Sequence, residues 1–179
     1  MLDRLFRRKP ADEPGLDLYA AVVAQARCPE FYEFCAVPDT VDGRFDMIAL
    51  HVFLIMRRLK GQGPAATACS RSVVETMVTD MDRSLREMGV GDLGVPKRVQ
   101  EMVRAFYGRV AAYGEGLDTP DDRFLIAALD RNLYGTKEIS DARLNAMAAY
   151  VRSTAAVLDA TPVETILAGR VEFAAPPVV

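Results

Sequence analysis

The sequence predicts an all-α fold, a single-domain bundle of six to eight helices, on three observations. Apolar residues recur at spacings of three and four along most of the chain, which is the helical period. The interruptions fall at proline and glycine beside residues that cap helices. No segment alternates apolar and polar residues over the length of a strand. The 179 residues suit one compact domain, large enough to bury roughly 70% of the unfolded surface.

Leu16 to Cys28 reads as a first core helix, broken by Pro29, with the short piece "EFYEFC" after it. "PDTVDGRFD" then supplies capping residues for a long helix from about Asp42 to Lys60. Arg57, Arg58 and Lys60 sit at its C-terminal end, where the macrodipole favours cations. "GQGP" ends it. The next helix, about Ala66 to Met88, places Val74, Met77, Val78, Met81, Leu85 and Met88 on one stripe. Charge pairs four apart, Asp82 with Arg86 and Arg83 with Glu87, support its other side. Gly89 stands where a left-handed C-terminal cap wants a glycine.

Pro96 fits the first turn of the following helix, whose inner face carries Val99, Met102, Val103, Phe106, Val110 and Tyr113. Residues 80–102 therefore read as helix, glycine-rich turn and helix, with Val90, Leu93 and Val95 expected to pin the turn to the core. "TPDD" offers Thr119 as an N-cap with Pro120 in the first turn, ahead of a helix from about Asp121 to Tyr134. A helix from about Asp141 to Asp159 follows, and Thr161 with Glu164 has the spacing of a capping box. The expected division is a basic leader over 1–14, a helical domain over 15–169 and a loose tail over 170–179.

The composition bounds the function. Hydrophobic residues make up 50%, charged residues 26%, and the formal charge is −3, ordinary for a soluble domain and unlike a protein coated in cations for nucleic acid. The N-terminal "MLDRLFRRKP" shows no secretory signal, because no apolar run follows its charges. The longest apolar run, "MIALHVFLIM", is about half of what a membrane-spanning helix needs. Three irregularly spaced cysteines, Cys28, Cys35 and Cys69, predict free thiols in a reducing compartment.

Reactive chemistry is hard to assemble from these residues. The only histidine, His51, lies among apolar neighbours, so a core histidine bonded to a carbonyl or carboxylate is the expectation. A haem or zinc ligand is the competing role, yet no C-x-x-C knuckle joins His51 to the cysteines. Asp80 and Asp82, two apart on a helix, point in directions about 160° apart and cannot simply share one ion. "GVGDLG" lacks the lysine–serine pair and preceding strand of a phosphate loop. Met77, Met81 and Met88 could form an adaptable groove, although core packing is the ordinary role of such a stripe. No metal, cofactor, small-molecule substrate or enzymatic activity is expected.

Two surface features remain. In the leader, Leu2, Leu5 and Phe6 alternate with Arg4, Arg7, Arg8 and Lys9, a pattern suited to the interface of an anionic membrane. The helix beginning at Pro96 carries Lys97, Arg98, Arg104 and Arg109 against Glu101 alone, which suits RNA or an acidic partner. A solvated leader and a solvated helix face are the plain alternatives.

Four blocks, taken together, resemble the ubiquinol–cytochrome c chaperone family. They are "DTVDGRFDMIALHVFLIMRRL" (39–59), "DMDRSLREMGVGDLGVPKRV" (80–99), "AFYGRVAAY" (105–113) and "ALDRNLYG" (128–135). The likeness covers about 18–135, in the family's order, and is nearer to the compact bacterial form than to the longer mitochondrial members. It departs at "TACSRSVVETMV", which is more polar than the family's helix there. The resemblance implies a non-enzymatic assembly factor for the cytochrome bc complex. Its expected client is newly made cytochrome b or its nascent chain, and a ribosome, a small partner protein and a peripheral membrane contact are further partners the likeness suggests. The compartment expected is the cytoplasm, on the inner face of its membrane. The matching positions are His51, Arg57, Arg58, Arg83, Arg86, Asp92, Lys97, Arg98, Tyr107, Gly108, Arg109, Arg131 and Asn132. Those that are exposed, with Arg104, form the expected recognition surface.

Overall fold

The computed structural model describes residues 13–135 and 137–178, so the leader lies outside the described residues apart from its last two positions. Eight α-helices and one π-helical turn make up the regular structure of the described part: α1 Glu13–Ala26, α2 Glu30–Glu33, α3 Val41–Leu59, α4 Pro64–Glu87, α5 Val95–Asp118, α6 Asp122–Leu129, the π-helical turn Asp130–Tyr134, α7 Asp141–Ala160 and α8 Val163–Leu167. Among the described residues no helix is long and apolar enough to cross a membrane.

The apolar run of α3 explains the architecture. Met47 to Ile55 is buried without interruption, so this helix is apolar all round and must be enclosed. It is: α1, α4, α5, α7 and the π-helical turn all pack on it. Its start is set by Thr40, whose Oγ1 accepts from the Gly43 amide at 3.1 Å. A Cβ on Gly43 would lie 2.0 Å from the Pro38 carbonyl oxygen, so only glycine lets the chain fold back there. Arg57 and Arg58 occupy the last turn as the macrodipole predicts.

Several local expectations need correcting. Asp121, not Thr119, caps α6, its carboxylate accepting from the Arg123 amide at 3.0 Å. A carboxylate two residues closer to the helix outcompetes the threonine, whose hydroxyl donates to the Glu115 carbonyl instead. Thr161 likewise donates to the Val157 carbonyl, closing α7, and no Thr161–Glu164 capping box forms. The single helix expected over 121–134 changes to π geometry at Asp130, which turns Leu133 and Tyr134 inward together. Leu93, expected to pin the α4–α5 turn, is 98% exposed; Val95 alone is fully buried there. Gly89 does take the left-handed conformation, at φ +82°.

The last segment, 170–178, has no helix, but it is not a loose tail. Phe173 stands edge-on to the His51 ring with centroids 5.2 Å apart. Gln25 donates to the Ala174 carbonyl at 3.0 Å, and Val171 and Ala174 pack against the core. The apolar pair Val171 and Phe173, together with a donor waiting on α1, overrides the signal of the prolines that follow.

Candidate protein-docking site

His51 is a buried polar side chain with both ring nitrogens satisfied. The ring is completely buried. Its Nδ1 lies 2.7 Å from the Met47 carbonyl, which can only accept, so Nδ1 carries the proton and Nε2 accepts from the Tyr150 hydroxyl at 2.6 Å. Gln25 in turn donates to that hydroxyl at 3.0 Å. Burial pulls the imidazole down to about 4, so it is neutral at physiological pH. Both nitrogens are occupied, as expected of a core histidine. Among the described residues no cluster of three or more metal-ligating side chains occurs.

The cations predicted as a recognition surface divide into two sets. Arg58 turns inward: its Nε and Nη2 donate to the Leu158 and Thr161 carbonyls at 2.7 and 2.8 Å, satisfying the end of α7. Arg109 forms an ion pair with Asp46 at 2.7 Å, both side chains less than one-fifth exposed. These two are engaged within the chain and hold helices together. Asn132 bonds back to the Ala128 carbonyl at 2.8 Å. Arg57 meets Asp118 at 3.1 Å. Arg83 pairs with Asp80, and Arg86 bridges Asp82 and Asp92, each at 2.6 Å. Lys97, Arg98, Arg104 and Arg131 are exposed, and so is Tyr107 at 51%. The predicted membrane-surface residues, Leu2, Arg4, Leu5, Phe6, Arg7, Arg8 and Lys9, lie outside the described residues.

The structure also assembles a feature that lay scattered through the sequence. The first turns of α3, the last turns of α4, the first turns of α5 and the flank of α1 surround a groove of about 730 Å³. Its floor is apolar: Ile48, Met81 and Leu85 are buried, with Phe45 and Met102 half-buried beside them. Met88 and Val41 line it while remaining 50% and 58% exposed. Exposed charges of both signs surround the floor: Arg27, Arg44 and Arg98 with Asp42, Glu87 and Glu101. Arg44 is held by Asp39 at 2.6 Å. Tyr19 donates to Asp80 at 2.9 Å at the α1 wall.

Met88 was visible in sequence as a member of the α4 stripe. It is solvent-exposed because Gly89 ends the helix one residue later, before α5 can cover it. Val41 and Met102 belong to the same surface, and no spacing rule joins residues so distant in the chain. Next to Phe45 on α3 is Asp46, which sequence reasoning passed over. Burial raises its carboxyl to about 6, against the pull of Arg109 and with a further push from Asp42. The Tyr113 hydroxyl, fully buried near this pair, has no hydrogen-bond partner in the structure.

Comparison with known proteins supplies the identity of the scaffold. Residues 33–173 match the family model described as ubiquinol–cytochrome C chaperone. The matched span runs past Gly135, so α7, α8 and part of the C-terminal segment share the family's pattern. The ubiquinol-cytochrome-c reductase complex assembly factor 1 of Xenopus laevis is 32% identical over 153 residues, covering 86% of this chain and 76% of that protein. The Mus musculus and Homo sapiens proteins of the same description are each 31% identical over the same share of this chain, which spans only about half of their length, 52% and 51%. A crystal structure of the Cbp3 homolog from Brucella abortus superposes with a TM-score of 0.84 at 41% identity, covering 98% of this chain and 97% of that one. Agreement in sequence across most of the chain and in the path of nearly all of it makes this protein a member of the ubiquinol–cytochrome c chaperone family.

Proposed function

We propose that this protein is a non-enzymatic assembly factor for the cytochrome bc complex, which holds newly made cytochrome b close to the membrane until it is assembled. The groove carries the reading on the structural side. It is open and floored by apolar and methionine side chains, which adapt to varied partners. It lies on a scaffold whose buried polar groups serve packing rather than a reactive centre. The relatives named for assembly of the reductase complex support a client that belongs to that complex. Lys97, Arg98, Arg104, Tyr107 and Arg131 extend the contact surface beyond the groove, and the leader's cations bring the chain to anionic lipid. A small partner protein fits the same exposed face.

Deleting the gene and measuring assembled cytochrome b by its haem spectrum tests this function. A marked loss of the cytochrome b signal under respiratory growth is expected. Normal assembly would refute it. The alternative, an RNA- or ribosome-contacting module, has the exposed Lys97, Arg98 and Arg104 in its favour, but it loses Arg109 to the pair with Asp46. Reversing the three remaining charges should abolish ribosome co-sedimentation at low salt if that alternative is correct; unchanged sedimentation rejects it.

A further inference from the structure

We infer that the groove takes an amphipathic helical segment of its protein client, bearing acids and bases beside one apolar stripe, and excludes a fully apolar membrane-spanning helix. This rests on the chaperone reading and narrows it, because cytochrome b must then be held by segments lying at the membrane surface or between its spans. The argument is one of charge. The apolar floor is formed by Ile48, Met81, Leu85 and Met102, and an amphipathic helix carries one apolar stripe that could cover such a floor. Charges of both signs line the groove with it: Arg27, Arg44 and Arg98 together with Asp42, Glu87 and Glu101, all exposed.

A helix apolar on every side would press hydrocarbon on these charges and strip their water without replacing it, which is costly for any ionised group. A helix with a single apolar stripe meets the floor and returns opposite charges to the rim, so complementarity selects it. The exposed Met88 and Val41, which also line the groove, enlarge the apolar contact. The methionines let one groove accept stripes of differing shape.

The test uses the full chain carrying 13C-methyl methionine. Met88 and Met102 report on the groove, while Met47 and Met77, fully buried, report that the fold is intact. Synthetic 18-residue segments covering cytochrome b are titrated in, the amphipathic ones in buffer and the membrane-spanning ones in lipid nanodiscs, with empty nanodiscs alongside. Amphipathic segments should shift the Met88 and Met102 signals and leave Met47 and Met77 in place. The double variant Arg98→Glu with Glu101→Arg should weaken that binding about tenfold, and a segment with its flanking charges inverted should restore it. Shifts produced as strongly by the membrane-spanning segments or by empty nanodiscs overturn the inference, as does the absence of any shift with the amphipathic set. Cross-linking of whole nascent cytochrome b to the chain is measured in parallel. If it persists while the segments fail, the inference falls and the chaperone reading stands; if it is absent as well, the chaperone reading falls with it.

Discussion

The pair formed by Asp46 and Arg109 makes the sharpest energetic prediction. Burial holds the Asp46 carboxyl at about 6 in the folded state, against an ordinary value of 3.8. A raised carboxyl binds its proton more tightly when folded, so its contribution to stability is full below pH 4 and is lost as pH rises through 6. The gap between 3.8 and about 6 corresponds to about 3 kcal/mol. Asp46→Asn is close in shape to the protonated acid and cannot ionise. The stability of the native chain minus that of Asp46→Asn should therefore fall by about 2–3 kcal/mol between pH 4 and pH 7, whatever the other carboxylates do. Arg109→Met removes the one group holding the carboxyl down. Its cost should be modest near pH 5, where Asp46 takes up a proton, and should approach the 3–5 kcal/mol of a stranded buried charge near pH 7.5. Urea denaturation followed by far-UV circular dichroism at half-unit pH steps measures both differences, and the absence of tryptophan makes that signal preferable to fluorescence. A native-minus-Asn difference that stays flat, or rises with pH, would refute the reasoning, because it would mean that Arg109 outweighs burial.

Three further outcomes follow from particular contacts. Gly114 and Gly116 lie two residues apart on α5 and so point to different sides of it, and they should respond oppositely to alanine. A Cβ at 116 would sit 2.7 Å from the Leu125 Cα where α5 meets α6, so Gly116→Ala should cost about 1–3 kcal/mol. At 114 the nearest atom is 4.0 Å away, and Gly114→Ala should stabilise by up to about 1 kcal/mol; thermal melts decide both. Phe173→Ala should cost about 1.5–3 kcal/mol, since it uncovers the ring of His51, and an unchanged melting temperature would show that the final segment contributes no packing. Removing residues 2–9, with their four cations, should abolish co-sedimentation with anionic vesicles at low salt, each cation contributing about 1 kcal/mol at most; retained binding would place the membrane contact elsewhere.

The helices were legible in the sequence because their signals are local. A ten-residue apolar run, too short to span a membrane, reads as a buried helix in a bundle of this size, and Thr40, Gly89 and Pro96 mark boundaries through the chemistry of a single turn. The misreadings arose where two local signals competed. Thr119 and Asp121 both offer a cap, and the outcome depends on which carbonyls α5 leaves unsatisfied. Leu93 is apolar, but the turn it sits on has nothing opposite it to pack against. The final segment carries prolines that say loop, and only the tertiary position of Gln25 and His51 shows why a loop there is held. Charge is the least legible property. Arg58, Arg98 and Arg109 look equivalent in sequence, yet one caps α7, one borders the groove and one is buried against Asp46.

That sorting bears on how such a chaperone avoids becoming its own client. A surface able to hold apolar segments tends also to hold a second copy of itself, unless the apolar area is kept narrow. Here most of the large apolar side chains are enclosed around α3, and those that remain exposed are few and scattered beyond the groove. The ion pairs of Arg83 and Arg86 with their neighbours on α4 and the following turn place fixed charge beside the groove. An approaching copy would bring its own mixed-charge border to the groove, with no apolar stripe presented to the floor. The amphipathic client segment proposed above would present that stripe, and the border would supply its counter-charges. Selectivity of this kind needs no moving part, since it follows from where the helix ends leave the floor open and where the charges surround it.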